Sequence, residues 1–100
     1  MDLKELTLAF NRFIELKGWY KEDSPKPQTS LNMAKSISIE AAEILELYQW
    51  QDEVKDKEAL ADELADVTLY CLQLANLNNI DLEEAILAKI KKNFQRHWDE

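Results

Sequence analysis

The sequence predicts an all-α protein, a four-helix protomer that builds a helical bundle through homo-oligomerisation. Glycine occurs once and proline twice in 100 residues, too few turn formers for a run of short strands. Apolar residues make up 46% of the chain and recur at spacings of three and four, the period of a helix packed along one face. A chain of this length holds one domain, residues 1–100, and buries a modest share of its surface. Association with further copies is then the natural source of additional core.

Each element carries its own signals. Asp2 and Glu5 have capping-box spacing and open a helix from about Asp2 to Gly18, with Leu3, Leu6, Phe10, Phe13 and Ile14 as its apolar face. The stretch WYKEDSPKPQ, residues 19–28, holds both prolines and no helical pattern. It reads as a loop, either a plain connector or a cover for a pocket with Trp19 and Tyr20 at its root. Thr29 or Ser30 caps a second helix that reaches about Gln51. The third runs from about Asp56 to Asn76, followed by a turn at Leu77, Asn78 and Asn79. Asp81 and Glu84 repeat the capping spacing and start a fourth helix extending to roughly Arg96. Short connections make neighbouring helices antiparallel.

Composition excludes several classes. The formal net charge of −8 disfavours nucleic acid polymers and anionic membranes as partners. Cys71 is the single cysteine, so no disulfide can form within the chain, and a cytoplasmic location is the simple expectation. The first residues show no signal-peptide pattern, and no apolar run approaches the ~18 residues of a membrane span.

The placement of four acids around their helices is the informative feature. With ~100° per residue and Glu40 set to zero, Met33 lies at about 20°, Ile44 at about 40° and Leu47 at about 340°. Glu40 therefore sits inside the apolar arc, with Glu43 on its edge at about 300°. The third helix repeats this. With Glu63 at zero, Leu74 lies at about 20°, Val67 at about 40° and Tyr70 at about 340°, while Asp66 flanks at about 300°.

Carboxylates on a buried stripe are costly unless protonated, paired or bound to a cation. No Lys or Arg occupies the helical positions beside Glu40 and Glu63. Two i,i+3 pairs on adjacent helices can surround one divalent ion, and an all-oxygen set suits Mg2+, with Mn2+ as the alternative. Zinc is poorly served by one Cys and one His. Solvated acidic faces, protonated core glutamates and charged groups from another subunit are the competing readings.

The stretch ISIEAAEILELYQW, Ile37 to Trp50, followed by ELADVTLY, Glu63 to Tyr70, resembles the MazG-like, all-α nucleoside triphosphate pyrophosphohydrolases. Their pattern is a Glu-x-x-Glu helix followed by a Glu-x-x-Asp helix. The likeness covers about residues 29 to 96 and implies that Glu40, Glu43, Glu63 and Asp66 are the Mg2+ ligands and the catalytic carboxylates. Lys89, Asn93 and Arg96 match a Lys-x-x-x-Asn-x-x-Arg pattern on the family's last helix and would hold the phosphates. Two departures stand out. Ile39 replaces a glutamate often found before the first ligand, and His97-Trp98 replaces Tyr-Pro.

The resemblance implies an enzyme that hydrolyses a (deoxy)nucleoside triphosphate to the monophosphate and pyrophosphate, with a deoxycytidine or other deoxynucleotide preference suggested by the small single-domain members. It also implies a homodimer or dimer of dimers. A base needs a flat apolar surface, for which Trp50 and Tyr70 are candidates, with Trp19 next and Asn32 as a hydrogen-bonding group. The rival from a different class is a helical interaction module, an adaptor or antitoxin-like subunit. A di-iron carboxylate bundle would need Glu-x-x-His pairs that a single His cannot supply.

Overall fold

Four short polar side chains start the four helices. Asp2 accepts from the Glu5 N–H at 2.8 Å, Thr29 from Asn32 at 3.2 Å, Asp56 from Ala59 at 3.0 Å and Asp81 from Glu84 at 3.1 Å. Each satisfies one of the N–H groups that a helix start leaves without a partner. The computed structural model describes residues 1–96. Its helices are α1 (Leu3–Leu16), α2 (Ser30–Glu46), α3 (Lys57–Leu77) and α4 (Leu82–Phe94), with no strand among the described residues.

The ends of α1 and α3 are also local. Gly18 has φ +71°, its N–H reaches the Glu15 carbonyl, and the Trp19 N–H reaches that of Ile14. This pair of reversed bonds closes the helix and requires a left-handed residue at Gly18. Asn79, with φ 55°, plays the same part after α3, where Ile80 N–H bonds Ala75 O at 2.9 Å. The second helix departs from expectation. It ends at Glu46 rather than near Gln51, and residues 47–51 continue as turns with i to i+3 bonds. The apolar pattern through Leu47, Tyr48 and Trp50 extends past the point where the backbone stops being helical.

Packing centres on α3, which meets α2 over the broadest contact and α1 over a smaller one. Met33 of α2, Ile14 of α1, and Leu72 and Ala75 of α3 are the buried apolar side chains among the described residues. The α1 face is covered only in part: Ile14 is buried, yet Leu6 and Phe13 remain exposed. The reason is geometric. Phe13 and Phe10 border a cavity between α1 and α2 instead of meeting the second helix directly. Helix α4 touches α1 and buries no residue, leaving Ile86, Leu87, Ile90 and Phe94 exposed.

The protomer is correspondingly open. Its radius of gyration is 16.2 Å, against about 13 Å for a compact domain of 100 residues. Its accessible surface is 8068 Å², against roughly 5,900 Å² for a compact monomer of this mass.

Candidate functional site

Three carboxylates converge where α2 faces α3. One oxygen each from Glu40, Glu43 and Glu63 lies within 4.8 Å of the other two. Glu40 and Glu43 are one turn apart on α2, so both side chains leave the helix on the same side, and Glu63 meets them from α3. Asp66 stands outside this trio, one turn further along α3, and lines the neighbouring cavity.

The electrostatics record the crowding. The Glu40 carboxyl is pushed up to about 7, first by burial, then by proton sharing with Glu43 and Glu63 and by repulsion from Glu43 and Asp66. Glu63 is also raised, first through Glu43 and then by loss of solvent. Glu40 Oε2 and Glu63 Oε2 are shielded from solvent and have no hydrogen-bond donor among the described residues. Ionised carboxylates only accept, so such a cluster is satisfied by a shared proton or by a cation. The donor set fits a hard divalent ion: it is all oxygen, and its oxygens lie close enough together to share one.

Beside the trio lies a cavity of about 640 Å³, the size of a small-molecule site. Leu69 and Tyr70 of α3 line it together with Asp66, and Met33, Lys35 and Ser36 border it from α2. Phe10 and Phe13 of α1 form the opposite wall, stacked with centroids 6.2 Å apart. Trp19 meets Phe13 edge-on at 5.5 Å, and Lys26 Nζ sits 4.8 Å from the Trp19 ring centre. Tyr70 is held above the usual phenol value, first by burial and then by the charges of Glu40, Asp66 and Glu43. Asp66 and Tyr70 line the same cavity, so the acids of α3 border its aromatic wall through Asp66.

Of the sequence-predicted contacts, the structure brings Tyr70, Asn32 and Trp19 to this cavity. The Asn32 side-chain amide is already engaged, donating to Pro27 O at 2.9 Å. Trp50 is not among the lining residues. It is 93% exposed and has φ 70°, a conformation that costs an L-residue about 1–2 kcal/mol. Lys89, Asn93 and Arg96 do not line the cavity either. They lie on or just beyond α4, which packs on α1, and Asn93 Oδ1 is buried without a partner among the described residues. His97-Trp98 lies outside the described residues.

Sequence reasoning missed Phe10, Phe13, Lys26 and Lys35 as wall residues. Their periodicity assigns the two phenylalanines to a core, and nothing local shows that α1 stands off from α2.

Comparison with known proteins agrees with the geometry. The profile of the MazG-like family matches residues 35–100, a span that holds all four acids. Among curated proteins, dCTP pyrophosphatase 1 of Mus musculus is 27% identical over 104 residues, covering 95% of this chain and 58% of that protein. The dCTP pyrophosphatase 1 of Rattus norvegicus is also 27% identical, and that of Homo sapiens 26%, with the same coverage. The chain thus spans 58% of the length of these relatives. With its carboxylate-bearing helices and two thirds of its sequence inside the family profile, the chain belongs to the MazG-like family.

Proposed function

We propose that this chain hydrolyses (deoxy)nucleoside triphosphates to the monophosphate and pyrophosphate, using Mg2+ or Mn2+ held by Glu40, Glu43, Glu63 and Asp66. The observation that carries the reading is the carboxylate trio, with Asp66 one turn from Glu63 lining an aromatic cavity. The bound cation would neutralise phosphate charge and make the α-phosphorus more electrophilic. The remaining work falls to the chain's own side chains. Trp19, Phe13 and Tyr70 offer apolar faces for a base, and Gln28 and Asn32 offer polar edges beside them. Lys26 and Lys35 supply positive charge in an otherwise acidic protein, suited to the outer phosphates. We assign the orientation of the attacking water to Glu43, or to Glu46 one turn further along α2. A preference for dCTP or another deoxynucleotide follows the relatives, and a cytoplasmic house-cleaning role on the nucleotide pool fits that chemistry. Among the described residues no helix is long and apolar enough to cross a membrane.

The test is pyrophosphate release from a panel of normal and damaged triphosphates, ribose and deoxyribose alike. Hydrolysis of at least one, stopped by EDTA and restored by Mg2+, is the expected result. No release from any would sink the proposal and favour an interaction module.

The active form we propose is a homodimer or dimer of dimers. Leu31, Ala34, Ser38, Ala41 and Leu45 are all exposed and repeat at spacings of three, four, three and four along α2. That is a seam on the face opposite Glu40, with small residues that permit close helix approach. The excess surface, roughly 2,200 Å² per protomer by the comparison above, matches what large obligate interfaces remove. We assign Trp50, strained and exposed, to the cavity of a second copy, and Lys89, Asn93 and Arg96 to phosphate binding in the same assembly. Leu45→Glu puts a charge into the seam. Sedimentation equilibrium should show a monomer where the parent chain is oligomeric, and an unchanged mass would move the interface elsewhere.

A further inference from the structure

The loop over the cavity is tied down by one buried amide. Gln73 of α3 is 1% exposed, and its Nε2 donates to the Tyr20 hydroxyl at 2.6 Å. The Tyr20 hydroxyl in turn donates to Asn11 Oδ1 on α1. A directed chain therefore runs from α3 through the loop to α1. It spends the one proton of the phenol and leaves Gln73 Oε1 buried without a partner among the described residues. A half-satisfied buried amide is an expensive way to fill a position next to Leu72 and Ala75, where an apolar side chain of equal volume would serve stability better. The chemistry of Gln73 is explained by what it holds.

What it holds is the root of a cavity wall. Residues 19–28 have no regular element of their own, and they follow Gly18, a flexible joint in the left-handed region. Tyr20 fixes the first end of the loop to α1 and α3, and the Pro27 carbonyl fixes the other to Asn32 of α2. Lys26 lies between these anchors and stacks on Trp19, the residue directly before Tyr20, whose ring meets Phe13 edge-on. Around α3, Gln73 lies about 20° from Asp66 and two turns along, so one stripe of one helix carries both Asp66 and the loop anchor.

We propose that Tyr20 and Gln73 are positioning residues for the nucleotide cavity, holding Trp19 and Lys26 in its wall through the Gln73–Tyr20–Asn11 chain. This rests on the pyrophosphohydrolase reading of the cavity. Tyr20→Phe removes a hydroxyl from a partly exposed ring, and Gln73→Met keeps the buried volume, so both retain the fold. The test pairs amide hydrogen exchange of residues 19–28 with steady-state hydrolysis of the preferred triphosphate. In each variant, loop exchange should rise about tenfold with α2 and α3 unchanged, and KM should rise about tenfold with kcat within about twofold, the scale of one lost hydrogen bond. The double variant should be no worse than either single one, because the two act as a unit. Unchanged loop exchange would overturn the tether. Faster exchange with an unchanged KM, or a fall in kcat alone, would overturn the positioning role. A parent protein that hydrolyses no triphosphate would overturn the reading of the cavity, and the positioning role with it, while the exchange data still decided the tether.

Discussion

Glu63→Gln is expected to lower kcat/KM for any triphosphate substrate by about two orders of magnitude or more, while making the metal-free protein more stable. Both effects have one cause. Glu63 is the α3 member of the trio whose oxygens lie within 4.8 Å of one another, and its Oε2 is shielded with no donor. Glutamine keeps the shape, removes one negative charge and offers an N–H to Glu40 or Glu43. It also removes an anionic ligand from a site whose reaction passes through a highly charged transition state. A residue kept for folding would show the opposite pairing, with stability lost on substitution. Hydrolysis rates with saturating Mg2+ and thermal melts in EDTA measure the two effects separately. Parent-like turnover in the Gln variant would remove Glu63 from the ligand set.

The second large effect is a pH dependence that Mg2+ reverses. Glu40 has its carboxyl raised to about 7 from an ordinary 4.5, and Glu63 is raised as well. A group whose pKa is higher folded than unfolded adds stability below its unfolded value and loses it as pH rises through the folded one. The metal-free protein should therefore melt highest near pH 5 and progressively lower toward pH 8. Mg2+ should raise the melting temperature strongly at pH 8, where the carboxylates are charged, and little at pH 5, where protons compete. Glu40→Gln should flatten the metal-free slope. Thermal melts across this range, with EDTA or Mg2+, decide the matter. A flat metal-free profile in the parent would mean that the acids do not share one site.

The helical architecture and the acid cluster were legible because both are written at short range. Capping at Asp2, Thr29 and Asp81 depends on three or four successive residues, and these caps form, as does one at Asp56. The angles that set Glu40 and Glu63 inside apolar arcs need only a helix period, and these two acids do meet. The walls of the cavity depend on something local patterns do not encode, the distance between α1 and α2. Phe10 and Phe13 have the spacing of core residues and line a void instead. Trp50 continues the apolar rhythm of α2 although the helix has ended four residues earlier, because side-chain period persists in a sequence after the backbone has turned. Gln73 was detectable in principle: it falls on the same stripe as Asp66 and Tyr70, where a polar amide is out of place.

That shared stripe limits how the chain can vary. From Glu63 to Gln73 the helix rises about 15 Å, and one residue added or lost between Asp66 and Gln73 would swing its two ends about 100° apart. The acids would then face α2 while the amide pointed away from Tyr20, or the reverse. Insertions and deletions are accordingly to be sought in residues 19–28 and 47–56, where a change of length is absorbed by irregular backbone, and α3 should drift by substitution alone.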